Sequence, residues 1–279
     1  MKKLLLATTL LAASATVAAA EVKVSGNGYM GIGDFFTGDL ELRSRLRIVF
    51  TASGETDGGL AFGGSVRADN AVGGAAGTAG SVFISGAFGK LSMGDVDGAA
   101  NAAVGHVDGV GYTGLSDFNE STFIGGGAKE SALYEYSTGG LTFYASVGQT
   151  NLATTPWSIA VKYSMDAYSF ALGYEDNDAG TDHVIVGASA SFSNITLKAN
   201  YGTASGVIDG DQFAISATYA QDALSATVFY TDDSDLGGVE AYGIGAAYDL
   251  GGGATVKGGY VKNKTAGTDG FDLGVTFSF

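Results

Sequence analysis

Arg43, Arg45 and Arg47 stand two residues apart, and this spacing is the most chemically telling feature of the chain. Successive residues of an extended strand point to opposite faces, so the three guanidinium groups would share one face in a row roughly 13 Å long. The only other arginine, Arg67, would return beside them through a hairpin turn near 55–59. Like charges this close repel, so the row needs water or facing carboxylates. A solvated face is the plain explanation. A basic wall inside a channel is favoured, because the opposing charges can be named. A connection of about 35 residues, from near Gly94 to Glu130, is far longer than an ordinary hairpin loop, and such loops are usually functional or disordered. It carries Asp95, Asp97, Asp108, Asp117, Glu120 and Glu130 against a single basic residue, Lys129. It also holds Val104, Val110, Tyr112, Leu115, Phe118 and Phe123, which could pack against a wall. Folded inward, it would set acids across from arginines. Water in the resulting field is oriented, so small polar solutes pass more readily than apolar ones.

Strands are the elements that must position these groups. Leu40, Leu42, Leu46, Ile48 and Phe50 alternate with Glu41, Arg43, Arg45 and Arg47. The same two-residue period runs through Leu141–Val147, Trp157–Tyr163, Tyr168–Tyr174, Ile195–Tyr201, Phe213–Tyr219 and Leu224–Tyr230. It ends with Phe271, Leu273, Val275, Phe277 and Phe279 at the last residue. Each such segment reads as a strand with one apolar and one polar face. Sixteen strands are expected, starting near 22, 40, 60, 81, 91, 131, 141, 157, 168, 183, 195, 212, 223, 239, 254 and 270. Tight turns alternate with longer, acidic, Gly-rich connections, the asymmetry of a bacterial outer-membrane barrel. Tyr163, Tyr168, Phe192, Tyr219 and Tyr248 close apolar faces as interfacial aromatics would. A soluble barrel places its apolar residues inside and is filled at about eight strands, whereas sixteen enclose a wide, wet interior. The fold expected is therefore all-β, a transmembrane antiparallel barrel of 16 strands with the long third loop folded into its lumen.

Residues 1–20 have the form of a secretory signal peptide, with Lys2 and Lys3, an apolar stretch from Leu4, and Ala18-x-Ala20 before Glu21. The domain then spans 21–279. Losing that leader would move the formal charge from −15 to about −17, an acidity that argues against nucleic acid as a partner. There is no cysteine and one proline. An oxidising compartment thus offers no disulfide, and scarce proline suits continuous strand pairing. The 46 glycines follow no G-X-Y period, which excludes collagen.

Other motifs carry less. Gly26-Asn27-Gly28-Tyr29-Met30-Gly31 fits a dinucleotide fingerprint but lies within a strand with no helix after it. His106 and His183 have no metal-ligand spacing and are placed in external loops. Ser and Asp are plentiful, yet nothing brings them together with histidine, so no catalytic residue and no enzyme activity are expected. Glu175-Asp176-Asn177-Asp178 and Asp232-Asp233-Ser234-Asp235 could hold Ca²⁺ or Mg²⁺ between lipopolysaccharide phosphates. Solvated loop tips are the favoured alternative.

Several stretches resemble the alphaproteobacterial general-diffusion porins. They are Arg43-Ser44-Arg45-Leu46-Arg47, Ser85-Gly86-Ala87-Phe88-Gly89-Lys90 into Met93-Gly94-Asp95, Gly109-Val110-Gly111-Tyr112, Ala241-Tyr242-Gly243-Ile244-Gly245-Ala246 with Tyr248-Asp249-Leu250-Gly251, and the terminal Phe279. The resemblance implies a sixteen-stranded barrel, a homotrimer and a third loop that forms the pore eyelet. The chain is shorter than that family's pattern, and its long loop has fewer acids than the most acidic relatives. The function expected is passive, water-filled diffusion of small hydrophilic solutes and ions across the bacterial outer membrane, in contact with its lipid and lipopolysaccharide. Arg43, Arg45, Arg47 and Arg67 would be the basic side of the eyelet, and Asp95, Asp97, Asp108, Asp117 and Glu120 the acidic side. Because acids outnumber bases, weak cation selectivity is expected. The alternatives are a barrel with a plugged lumen whose loops serve as adhesin or surface enzyme, and a soluble secreted β-protein. Small residues at Gly26, Gly28, Ser44, Gly64 and Gly86 on the apolar phase would let neighbouring barrels approach.

Overall fold

The computed structural model describes residues 20–69, 80–126 and 131–279. The leader assigned to 1–20, apart from its last residue, and the acid Glu130 lie outside the described residues. Sixteen strands follow one another: β1 (Glu21–Asp34), β2 (Glu41–Glu55), β3 (Ala61–Asp69), β4 (Ser81–Gly86), β5 (Gly89–Gly94), β6 (Ser131–Thr138), β7 (Leu141–Val147) and β8 (Trp157–Met165). They continue with β9 (Tyr168–Asp176), β10 (Thr181–Phe192), β11 (Ile195–Gly206), β12 (Gly210–Gln221), β13 (Leu224–Asp232), β14 (Glu240–Gly251), β15 (Ala254–Asn263) and β16 (Thr268–Ser278). Each pairs antiparallel with its neighbours in sequence, and β16 pairs with β1, so the sheet closes as a barrel without an edge. The closing register runs from Asn27↔Ser278 to Asp34↔Phe271. Beyond it, the Phe279 N–H donates to the Gly26 carbonyl at 3.0 Å and the Gly26 N–H to the Phe279 carbonyl at 2.7 Å. The Phe279 ring lies over Gly26, where a Cβ would stand 2.5 Å from it. At this position the small residue makes room for a ring of its own barrel.

The two phases of the wall separate cleanly. Leu42 is 85% exposed, and Ile159, Phe170, Ile215, Ile244 and Leu273 are exposed on the same phase. Such side chains suit hydrocarbon rather than water, and each strand is hydrogen-bonded to a neighbour on both sides, as a spanning structure requires. Two rims of aromatics bound this apolar band. Tyr163, Tyr168, Phe192, Tyr219 and Tyr248 mark the end with tight turns, where Tyr168 and Phe192 meet edge to face at 5.7 Å. Trp157, Tyr174, Phe213, Tyr230 and Tyr242 mark the opposite end, with Trp157 and Tyr174 rings 5.5 Å apart. The tight turns use backbone that only certain residues accept easily. Gly139 and Gly140 both have positive φ (56° and 84°), the geometry a two-residue hairpin turn demands.

β1 and β2 pair from Glu21↔Ser53 to Gly33↔Glu41, and among the described residues β3 and β4 pair from Ala61↔Ser85 to Ser65↔Ser81. The buried apolar cluster is unlike that of a soluble barrel. Val107, Val110 and Leu115 of the long connection pack with Ala214, Phe229, Ala241 and Val261 from the polar phase of β12–β15. The core thus forms where the connection meets the wall.

Candidate functional site

Strand β2 presents Arg43, Arg45 and Arg47 on the polar phase, opposite Leu42 and Leu46. Their carboxylate partners come from the same hairpin. Arg47 lies across from Asp69 on β3 and grips it with two nitrogens, Nε to Oδ1 at 2.9 Å and Nη2 to Oδ2 at 2.9 Å. Arg67 approaches the same carboxylate at 3.6 Å. Arg43 pairs with Glu41 at 2.9 Å and lies 4.0 Å from the Phe35 ring centroid. Arg45 stacks 4.8 Å over Tyr29 and donates to Asn27 Oδ1 at 3.4 Å. Planar guanidinium groups favour such bidentate and stacked partners. Among the described residues, no arginine forms an ion pair with an acid of the long connection.

That connection winds along the polar phase from β7 round to β16 and β1, where the Tyr112 ring meets Tyr29 edge to face at 5.1 Å. It opens with a short helix, α1 (Ala99–Val104), whose Ala99 and Ala100 N–H groups donate to Ser146 Oγ at 2.8 Å and Ser158 Oγ at 3.4 Å. Ala100 lies so near β9 that a Cβ on Gly173 would stand 2.5 Å from it. Asn200 holds the Gly105 carbonyl at 2.8 Å, and Ser216 accepts the Asp108 N–H at 3.0 Å. Farther on, Gly111 crosses β15 so closely that a Cβ on Gly259 would be 2.5 Å from its nitrogen. Asp272 Oδ2 then accepts the Tyr112 N–H (3.0 Å), the Thr113 N–H (2.9 Å) and the Thr113 hydroxyl (2.7 Å). Burial and the nearby Asp272 carboxylate push the Tyr112 phenol up to about 12, so it stays neutral there. On the way back, the Thr122 N–H donates to Gln212 Oε1 and the Thr122 carbonyl accepts from Gln212 Nε2, both at 2.8 Å. The Ile124 N–H donates to Glu175 Oε2 at 2.9 Å.

Placement of the predicted acids is mixed. Asp95 lines a cavity of about 320 Å³ together with Arg47, Arg67 and Asn27. Asp97 is exposed and accepts from Asn101 at 3.3 Å. Asp108 turns to the wall behind it, 2.6 Å from Lys198 Nζ and 3.0 Å from the Thr218 hydroxyl. Asp117 adopts left-handed backbone (φ 53°) with its carboxylate folded over Gly114, and both it and Glu120 are exposed. Sequence reasoning missed Asp69, Gln212, Lys198 and Asp272, whose signal was available: each falls on the polar phase of its strand.

His183 and Glu175 need correction. Rather than loop residues, they sit on β10 and β9, both wholly buried, with His183 Nδ1 2.9 Å from Glu175 Oε2. The Gln212 amide is oriented by Thr122, so its NH₂ donates to His183 Nε2 at 2.8 Å. That nitrogen accepts, and the imidazole proton is on Nδ1, facing Glu175. His106 is in the long connection, where its Nδ1 accepts the Ser121 N–H at 3.0 Å. No group of three His, Asp or Glu side chains suited to a metal forms among the described residues. In the two acidic clusters, Asp178 instead holds Thr155, Asp233 holds Thr122 and Val239, and Asp232 holds Ser234.

Comparison with known proteins agrees with this architecture. The sequence profile of Gram-negative porins matches residues 7–268. A porin of Rhodobacter capsulatus is 34% identical over 305 aligned residues, which cover 93% of this chain and 100% of that one. A porin of Fuscovulum blasticum is 30% identical over 291, with the same coverage. A porin structure refined at 1.8 Å resolution superposes with a TM-score of 0.80 at 31% identity, over 93% of this chain and 100% of that one. The chain belongs to the Gram-negative porin family, and it is a passive diffusion pore of the outer membrane.

Proposed function

We propose that the polar phase bounds a water-filled lumen and that residues 95–126 narrow it to an eyelet for small hydrophilic solutes and ions. One observation carries this reading. The hydrogen bonds of 99–124 with strand side chains fall on β7–β9, β11, β12 and β16, while the arginines stand on β2 and β3. The passage would then run between the connection and the arginine face. Arg43, Arg45, Arg47 and Arg67 form its basic side. Asp95, Asp97, Asp117 and Glu120 form its acidic side, with Asp108 largely neutralised by Lys198. The pore is weakly cation-selective, works without catalysis, and assembles as a homotrimer in contact with lipid and lipopolysaccharide.

The test is a reversal potential across planar bilayers in a potassium chloride gradient. Weak cation preference that declines as salt rises is expected, since screening shortens the reach of the acidic mouth. Changing Arg43, Arg45 and Arg47 together to Gln should raise conductance and cation preference. Anion preference in the native pore, or an unchanged triple variant, would remove the eyelet assignment. A stable monomer by mass measurement in detergent would remove the trimer.

A further inference from the structure

We propose a second charged station in the pore, an oxyanion site between the back of the long connection and the β8–β11 wall; it rests on the diffusion-pore reading. The cavity there is about 230 Å³ and is bordered by Lys162, Lys198, His106, Ser169 and Ser189. Its floor is small: Ala171 lies across from Lys162, and Gly187 across from Ala171. The lysines leave the wall three strands apart, roughly 14 Å across the strands and two residues out of level, and both border the cavity. Val104 covers Gly187, where a Cβ would stand 2.7 Å from its Cγ1, so the room for a solute is the cavity beside Val104 that both lysines border.

Hydrogen-bond polarity around this cavity selects an acceptor-rich guest. Lysine offers only donors. Because His106 Nδ1 already accepts from Ser121, the proton of the neutral ring is on Nε2, which is then also a donor. The Ser169 and Ser189 hydroxyls are 2.8 Å apart, so one donates to the other and one proton is left to give. Asp108 cancels part of the charge of Lys198 at 2.6 Å. Among the described residues, Lys162 forms no ion pair within 4.0 Å, so its charge is not matched at short range. The Asn200 side-chain oxygen, next to Gly187, is an acceptor at the edge. A tetrahedral or planar oxyanion, such as a phosphate or the carboxylate of a permeating solute, fits this set. Such a station would slow these anions in a pore whose overall charge disfavours them.

Inorganic phosphate titrated into potassium chloride on both sides of a bilayer provides the test, with gluconate matching ionic strength. Phosphate should lower the chloride current saturably in the native pore. Lys162→Gln should raise the half-saturating concentration by about fivefold, the weight of one partly exposed charge pair. Ser189→Ala should raise it less. Lys257→Gln, which removes a polar-phase lysine outside this cavity, should leave it unchanged. A non-saturating response, or equal shifts in Lys162→Gln and Lys257→Gln, would overturn the site while leaving the pore intact. Absence of ohmic conductance in the native protein would instead overturn the pore reading and the site together.

Discussion

Asp272→Ala should release the middle of the long connection without opening the barrel. The carboxylate is 2% exposed, and its Oδ2 alone accepts two backbone N–H groups and one hydroxyl. Removing it leaves the buried Tyr112 N–H without a partner, at about 1–3 kcal/mol, and the half-buried Thr113 N–H at somewhat less, while the Thr113 hydroxyl can turn elsewhere. A local cost of about 3 kcal/mol follows, which is on the order of a hundredfold in the opening equilibrium. β16 itself is held by backbone pairs to β1 and β15, which the substitution does not touch. Amide hydrogen exchange in detergent micelles measures the effect: Tyr112 and Thr113 should exchange roughly a hundredfold faster, with strand amides unchanged. Asp272→Asn keeps an acceptor oxygen but not the charge, and should give about a tenfold effect, because charge-assisted bonds exceed neutral ones by roughly 1 kcal/mol. Acceleration below tenfold in the alanine variant would refute the assigned anchor. Equal acceleration throughout the barrel would show that Asp272 supports the wall rather than the connection.

Two further substitutions probe other anchors. Gln212→Leu strips Thr122 of both backbone partners and His183 of its donor, all in a buried site; denaturant unfolding in detergent should show a loss of about 2–4 kcal/mol, and a change under 1 kcal/mol would contradict the network. Gly259→Ala puts a methyl 2.5 Å from the Gly111 nitrogen and 2.8 Å from its Cα, both backbone atoms that cannot step aside singly. The connection should shift bodily and alter single-channel conductance with no change in charge, at about 1–3 kcal/mol of stability; native conductance in a folded variant would show that the crossing is not tight.

The wall was legible because a barrel between lipid and water enforces the two-residue period in every strand. Each of the sixteen strands begins within two residues of its expected start. The course of the long connection was not legible for the complementary reason. Its partners are serines, a threonine, amides, a lysine and two carboxylates scattered over β7–β16, and a meandering backbone imposes no period on its own residues. Asp69 shows a different failure. It lies across from Arg47 in the β2–β3 register, and strand pairing alone would have found it. The acid-rich connection drew attention because of its length, although short-range ion pairs form first within a hairpin. Misplacing His183 had the same root, since a polar residue near a strand end reads as loop until its phase is counted.

The hairpin-borne acids change how the proposed eyelet must work. Four guanidinium groups face two carboxylates, Glu41 and Asp69, within the same wall. Charges paired at about 3 Å act on a solute several ångströms away mainly as dipoles, whose field falls faster than that of a single charge. Two positive charges remain unmatched: that of Arg45, held by an aromatic ring and an amide, and one at the Arg47–Arg67 pair, which shares Asp69. The exposed acids Asp97, Asp117 and Glu120 have no ion pair among the described residues. A partly compensated basic wall across from uncompensated acids yields a slight cation preference. It also predicts that pairing does not spare an arginine: Arg43→Gln leaves Glu41 as a bare carboxylate, so it should shift the reversal potential toward cations about as much as Arg45→Gln, which removes an unmatched charge. A much smaller shift from Arg43→Gln would mean that Glu41 does not face the passage once its partner is gone, and that the hairpin acids play no part in the selectivity.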